Sequence, residues 1–399
     1  MVTTTNLNYH VEIDVQQKRP KGEIACGDVF MSDIFKEEGR TILVLSDGIG
    51  HGIKASVLAT LTATMALKYT RFHTKPEISA KIIMEALPKS SDGKESYATF
   101  TIIELETDGR VRIINYDNPP VLIIRNGQLF EPREYELEIR GRENVGKLLR
   151  CREFIARKED RIVFLSDGVV QSGLGNKRYP MGWGVENIYD FALNQVNRMP
   201  DISAAKLGRK IINQAVINDN FEMKDDTTCG VIYFREPRKF MLITGPPFYK
   251  IKDYDFADRI KSFNGKKIIC GGTTAEIIAR ELDIEVEIQH IAKNPEMLPP
   301  VANMDGFEMV TEGILTLGKV EEILENYNSD TRLQDSPAEK VVKLLLQHDS
   351  IEIILGTRIN WAHQDPEQPL ELELRKFVVK RIVKILTNKF FKHVEVEYL

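Results

Sequence analysis

The sequence predicts an α+β protein, a β-sandwich flanked by helices and followed by a smaller α/β domain. Two observations carry that expectation. Short runs of β-branched and aromatic residues recur through the first 236 residues, with only a few helical stretches among them. That mixture fits antiparallel sheets with clustered helices better than a doubly wound sheet. After Arg235-Glu-Pro-Arg-Lys239 the pattern turns to strands alternating with helices. A boundary is therefore expected near residue 237, giving domains 1–236 and 237–399, within the two or three domains that 399 residues suggest.

The strand-like runs are Asp28–Phe35, Thr41–Ser46, Tyr97–Glu104, Arg110–Tyr116, Val121–Ile124, Arg161–Ser166 and Cys229–Phe234, each bounded by turn residues. Lys36-Glu-Glu-Gly-Arg40 and Thr107-Asp-Gly-Arg110 read as hairpin loops. From Ile53 to Tyr69, Val57, Leu58, Leu61, Met65 and Leu67 follow helical spacing. A second helix is expected over Glu77–Leu87, stopped by Pro88, and a third over Ser203–Ile217, with Leu207, Ile211, Ile212 and Ala215 on one face. In the second domain, Lys266–Cys270 reads as a strand, Gly271-Gly-Thr-Thr274 as a turn and Ala275–Glu281 as the start of a helix. That turn suits either an anion at a helix start or an ordinary capped start, the simpler reading. The amphipathic stretch Glu371–Phe391 predicts a helix docked on its own domain, although a membrane-surface helix has the same pattern.

Composition excludes several classes. Lys+Arg 54 against Asp+Glu 59 gives a net charge of −5, which argues against nucleic-acid binding by bulk electrostatics. The cysteines, at 26, 151, 229 and 270, form no CxxC or Cys/His spacing and no disulfide framework. No signal peptide opens the chain and no 18-residue apolar run spans a membrane, so a cytoplasmic protein is expected.

Chemistry concentrates in two similar segments, Thr41-Ile-Leu-Val-Leu-Ser-Asp47-Gly48 and Arg161-Ile-Val-Phe-Leu-Ser-Asp167-Gly168. Each reads as a buried strand ending in Asp-Gly, and a buried carboxylate needs a cation or hydrogen-bond donors. Asp-Gly is also a common turn dipeptide, as Asp92-Gly93, Asp108-Gly109 and Asp305-Gly306 illustrate. Two further acidic sites change the balance: Asp28 opens a strand one hairpin before Asp47, and Lys224-Asp225-Asp226-Thr-Thr228 precedes the strand at Cys229. Four acidic positions at strand edges make an all-oxygen nest for Mg²⁺ or Mn²⁺. Two such ions can activate water for in-line attack on phosphorus.

The order Gly27-Asp28, Asp47-Gly-Ile-Gly-His-Gly52, Ser166-Asp-Gly168 and Asp225-Asp-Thr-Thr228 resembles the metal-dependent serine/threonine protein phosphatases, type 2C. The DGxGHG form at 47–52 is similar to the stage II sporulation protein E (SpoIIE) branch, and the middle segment Ala98–Ile103 with Ile113–Leu122 agrees. The resemblance spans about residues 10–236. It implies a type 2C phosphatase-like β-sandwich in which Asp28, Asp47, the Gly48 carbonyl, Asp167 and Asp225 hold two Mn²⁺ or Mg²⁺ ions. Asp47 would bridge them, and Asp226 would neighbour the ligands. Three departures stand out: Asp117-Asn118 replaces the usual Gly-His before Pro119-Pro120, Gln171 replaces an acidic residue, and no upstream arginine matches a phosphate-gripping role, leaving Lys18, Arg19 and Lys21 as nearby cations.

The implied activity is hydrolysis of phosphoserine or phosphothreonine on a regulatory protein, anti-anti-sigma-like by family analogy. The helices after residue 52 would form a regulatory element and a homodimer contact. The alternatives are a non-catalytic binding module on the same fold and a phosphohydrolase acting on small molecules. His51, beside the metal loop, either assists the leaving group or orients backbone. Residues 240–399 resemble no family we recognise, and their role, regulatory or ligand-binding, stays open.

Overall fold

Strand alternation in the first half of the chain builds two sheets whose facing sides are both apolar. The computed structural model describes residues 9–35, 37–48, 50, 52–86, 98–139, 147–288, 302–328, 331–358, 368–390 and 392–399. His51 and the Ser91-Asp-Gly93 turn lie outside the described residues, as do the expected ends at Leu87 and Tyr97. The chain divides into two compact units, Met1–Glu236 and Pro237–Leu399.

In the first unit, β1 is His10–Lys18, β2 Asp28–Phe35, β3 Arg40–Gly48, β4 Ala98–Glu106, β5 Arg110–Tyr116, β6 Leu122–Arg125, β7 Gln128–Leu129, β8 Glu134–Glu138, β9 Leu148–Ile155, β10 Arg161–Leu165 and β11 Thr227–Arg235. The helices are α1 Gly52–Arg71, α2 Pro76–Ala86, α3 Asp167–Gln171, α4 Val185–Arg198 and α5 Ala204–Asn218. One sheet runs β1-β11-β10-β6-β7 and the other β2-β3-β4-β5-β9-β8. Leu43, Leu45, Ile103 and Ile113 of one sheet pack with Ile123, Ile162, Phe164 and Ile232 of the other to make the central core. Alternate residues of the same strands face outward: Ile42, Val44 and Ile102 meet Ala63, Ala66 and Ile83 of α1 and α2. Likewise Leu122, Val163 and Val231 meet Ile188, Leu207 and Ile211 of α4 and α5. Period-two strands buried on both faces therefore give a helix–sheet–sheet–helix sandwich.

The observed elements differ from the expected ones where the apolar signal is diluted. β1 alternates Val11, Ile13 and Val15 with charged or amide residues, and β9 alternates Leu149 and Cys151 with arginines. Neither has the dense apolar run that marks a central strand. α4 buries only the i, i+4, i+8 stripe Ile188, Ala192 and Val196. The tail of β10 also departs from expectation: the strand stops at Leu165, Ser166 stands at the N-cap position with no side-chain cap, and Asp167 is the first residue of α3.

The Asp117-Asn118 turn has a structural account. Asp117 sits at φ 55°, the left-handed region that aspartate tolerates better than most residues and glycine best. The buried Asn118 amide donates to Thr101 Oγ1 at 3.0 Å and to the Leu45 carbonyl at 3.4 Å, pinning the turn to β3 and β4.

In the second unit, β12 is Lys239–Thr244, β13 Lys266–Cys270, β14 Val286–Ile288, β15 Ala302–Met304, β16 Met309–Thr311, β17 Ser350–Leu355 and β18 His393–Tyr398. Its helices are α6 Asp253–Ser262, α7 Gly272–Leu282, α8 Ile314–Asn326, α9 Pro337–Gln347 and α10 Gln368–Asn388. The sheet order is β14-β15-β16-β13-β12-β17-β18, with β16 through β18 parallel and β14 and β15 antiparallel. Phe240 and Leu242 face a core with Leu317, Val341 and Ile382 of α8, α9 and α10, while Met241 and Ile243 face Ile260 and Ile278 of α6 and α7. Helices thus cover both faces of a mostly parallel sheet, the α/β arrangement expected from strand–helix alternation. α10 docks on this unit through Val379, Ile382, Ile385 and Leu386, although Leu374 and Phe377 are exposed. Among the described residues no helix is long and apolar enough to cross a membrane.

Candidate active site

Four chain segments meet at one end of the sandwich. β2 and β3 pair antiparallel with Asp28 directly opposite Asp47, the closest placement that two strands give two side chains. β10 and β11 are also neighbours, so the turn carrying Asp167 lies beside the turn carrying Asp225 and Asp226. The two pairs come from different sheets. The Thr228 hydroxyl of β11, 2.6 Å from Asp28 Oδ2, joins them, and close backbone approach shapes each turn: a Cβ on Gly48 would lie 2.2 Å from the Ala55 carbonyl oxygen of α1 and one on Gly168 2.1 Å from the Asp226 carbonyl oxygen. Only glycine fits at either place.

The five aspartates differ in surroundings. Asp28 is buried, and its Oδ2 accepts from Thr228 Oγ1 at 2.6 Å, while Oδ1 has no hydrogen-bond partner. Gln17 Nε2 in turn donates to Thr228 Oγ1 at 3.1 Å and holds that hydroxyl in place. Asp47 lies within hydrogen-bonding reach of the Asp167 carboxyl. Asp167 Oδ2 accepts from Gln171 Nε2 at 2.7 Å, so the amide at the departing position orients this carboxylate without adding charge. Asp225 is half-buried and its Oδ1 accepts from the Asp226 amide at 2.9 Å. Asp226 is 2% exposed, and neither of its carboxylate oxygens has a hydrogen-bond partner by geometry, although the Cys26 thiol lies beside it.

Burial first, and then the crowding of like charges, sets the electrostatics. Asp47 is pushed far above the usual carboxylate range by burial, with Asp28, Asp167 and Asp225 adding to the shift. Asp28 is raised by burial and by Asp226 and Asp167, an effect partly offset by the Thr228 hydrogen bond and the nearby Ser166 hydroxyl. Carboxylates forced together with orphaned oxygens are the donor set a hard divalent cation satisfies. Among the described residues no three His, Cys, Asp or Glu side chains converge closely enough to hold a metal ion as they stand.

The raised values have a pH consequence with a definite sign. A carboxyl whose folded pKa exceeds its unfolded value stabilises the fold fully below the unfolded pKa, and that stability is lost as pH rises through the folded pKa. The metal-free protein should therefore lose thermal stability as pH climbs from about 4 into the alkaline range. Mn²⁺ should restore it increasingly at high pH, because the metal binds the ionised form. Melting curves across pH with and without Mn²⁺ check this; in Asp47→Asn the metal-free decline should be shallower.

The expected site residues Asp28, Asp47, Gly48, Asp167 and Asp225 all lie on the segments that meet here. The neighbouring Thr228, Gln17 and Ser166 were not expected: Thr228 and Ser166 had only their nearness to the acidic positions as a signal, and Gln17 had none. Of the upstream cations, Lys21 pairs with Glu222 at 3.2 Å and Arg19 donates to the Ile24 carbonyl, while Lys18 ends β1 opposite Thr227.

The stage II sporulation protein E (SpoIIE) family profile matches residues 37–235, so the N-terminal unit carries a SpoIIE-family domain. The chain is similar to the type 2C phosphatase domain with a regulatory-domain fragment of the cell fate determinant SpoIIE from Bacillus subtilis: 17% identity over 57% of this chain and 64% of that one, TM-score 0.46. It is also similar to the RsbU and RsbW domains of a Mycobacterium tuberculosis protein, with 18% identity over 68% of this chain and 70% of that one, TM-score 0.45. A third similar structure is the catalytic domain of the serine/threonine phosphatase PstP in complex with two manganese ions, with 12% identity over 56% and 98%, TM-score 0.38. This chain thus spans less than two thirds of the SpoIIE structure. No curated protein matches it.

Proposed function

We propose that the N-terminal unit is a Mn²⁺- or Mg²⁺-dependent protein phosphatase that hydrolyses phosphoserine or phosphothreonine on a regulatory protein. The observation that carries this is the meeting of Asp28, Asp47, Asp167 and Asp225 at one end of a SpoIIE-branch sandwich, where Asp28 faces Asp47 across two strands and burial with like-charge crowding raises Asp47. Asp28, Asp47, the Gly48 carbonyl, Asp167 and Asp225 would hold two ions. Such ions, when bound, activate water and neutralise phosphoryl oxygens. Thr228 and Gln171 fix the orientations of Asp28 and Asp167 through the hydrogen bonds described, a second layer that typically matters 10–100-fold. A regulatory-protein substrate follows family analogy. The same analogy assigns a regulatory or homodimer contact to the helices after residue 52, where Ile53, Val57 and Leu61 of α1 are exposed.

The tandem Asp225-Asp226 gives a discriminating test. Asp225 is half-buried and interacts with Asp47, whereas Asp226 is enclosed beside Gly27, where a Cβ would lie 2.6 Å from its Oδ2. Phosphate release from a phosphoserine peptide in Mn²⁺ should fall by about 100-fold or more in Asp225→Asn and by less than about 10-fold in Asp226→Asn. The reverse order would move the ligand to Asp226. Mn²⁺-independent release, or none from the unaltered protein, would remove the phosphatase reading, and release only from a metabolite panel would redirect it to small molecules.

A further inference from the structure

The C-terminal unit holds a cavity of about 570 Å³, inside the range of small-molecule sites. Its place in the fold is informative. β12 is central, β13 follows it on one side and β17 on the other, so the chain reverses direction across the sheet between β12 and β17. Open α/β sheets bind ligands outside the carboxyl ends of strands at such a reversal, and the cavity lies there. It is lined by Gly245 after β12, Cys270 and Gly271 after β13, Glu312 after β16 and Arg358 after β17.

Backbone approach shapes the floor. A Cβ on Gly356 would lie 2.1 Å from the Pro246 carbonyl oxygen, and one on Gly245, at φ 80°, would lie 2.7 Å from Arg375 Nη1. The two post-strand loops touch because both positions are glycine, and Arg375 packs on that contact at the cavity wall.

The lining selects for an anion. Lys250, Arg280, Arg358 and Arg375 stand against Asp253, Glu276 and Glu312. Asp253 is 4% exposed and already committed: Arg280 Nη2 donates to it at 3.0 Å, and Arg358 pairs with its other oxygen. That buried carboxylate fixes two guanidinium groups at the rim, Arg280 being shared with Glu281 at 2.7 Å, while Lys250 adds an exposed charge. α7 begins in the same cavity at Gly272, and no side chain caps it, in contrast to α9, where Ser336 and Glu339 form a capping box. A Cβ on Gly272 would meet no atom within 4 Å, so the space beside this helix start is open, and the first amides of a helix are donors without intrahelical partners. The simpler expectation of an ordinary capped start at this turn is therefore not what the fold contains. Pro246, Ile277 and Leu372 add apolar lining for an organic portion. Gly271-Gly-Thr-Thr274 lacks the GxGxxG spacing of dinucleotide sites.

We propose that this cavity binds a small phosphate-bearing organic molecule, with its phosphate on the amino end of α7 beside Lys250 and the Asp253-held arginines. The inference is independent of the phosphatase reading, since every residue it uses lies in the other unit. Titration calorimetry of the full chain with AMP, ribose 5-phosphate and inorganic phosphate, against adenosine and ribose, tests it. At least one phosphate-bearing organic probe should bind tighter than about 1 mM, and its phosphate-free counterpart at least about 10-fold more weakly. Gly272→Val places a side chain in the open space, and Lys250→Ala removes an exposed charge; each should weaken that probe about 10-fold or more. Inorganic phosphate binding at the acidic site of the other unit would not respond to either variant. No phosphate-bearing probe tighter than about 1 mM, equal binding of the phosphate-free counterpart, or indifference to both variants would overturn the proposal.

Discussion

Replacing Asp47 by asparagine should lower Mn²⁺-dependent phosphate release by at least about 1,000-fold, roughly 4 kcal/mol of transition-state stabilisation. Asp47 faces Asp28 across β2 and β3 and reaches Asp167 from the other sheet, so it is the carboxylate common to both halves of the site. Asparagine keeps the size but removes the charge that a cation would use. The same change relieves like-charge crowding, so the metal-free variant should melt no lower than the unaltered protein above neutral pH. Opposite signs in activity and stability separate a lost ligand from a lost fold. A variant that retains activity in Mn²⁺ would exclude Asp47 from the centre.

Gly168→Ala should be the most damaging small substitution near the site, by about 3 kcal/mol of stability. The added Cβ would lie 2.1 Å from the Asp226 carbonyl oxygen and 3.0 Å from Thr227 Oγ1. Neither contact is relieved by rotating a flexible side chain, because the nearer atom is backbone. The turn carrying Asp167 must then separate from the turn carrying Asp225, and activity should fall along with stability. Urea denaturation of the variant beside Gly175→Ala gives the contrast. Gly175 has open space around its Cβ position, although its φ of 82° adds backbone strain, so its cost should be near 1 kcal/mol. Equal midpoints would mean that the two turns do not press together as described.

The fold class was legible because its signal lies in residues that must be apolar on both faces. Thr41–Ser46 and Arg161–Ser166 are runs that only a strand between two apolar layers needs, and the structure puts Leu43 and Phe164 into one core and Val44 and Val163 into others. β1 and β9 escaped because charged residues interrupt their alternation, which a sheet tolerates where one face reaches water. The acidic positions were visible because carboxylates beside buried strands are costly without a reason. What the sequence could not show is which neighbours steady them. Thr228, Gln17 and Ser166 are ordinary residues until the register of β1 with β11 sets Gln17 opposite Thr228 and that hydroxyl reaches Asp28. Gln171 looked like a gap in the acidic pattern, and one helical turn after Asp167 it is a donor to that residue. The cavity of the second unit was hidden further, because its cations come from Lys250, Arg280, Arg358 and Arg375, far apart in sequence.

If these carboxylates form a divalent-metal centre, anomalous diffraction at the manganese edge from Mn²⁺-soaked crystals of the full chain should show two manganese peaks about 3.5–4 Å apart at the end of the sandwich, with Asp47 touching both. Manganese bound only elsewhere, or no peak near Asp47 at saturating metal, would rule that centre out.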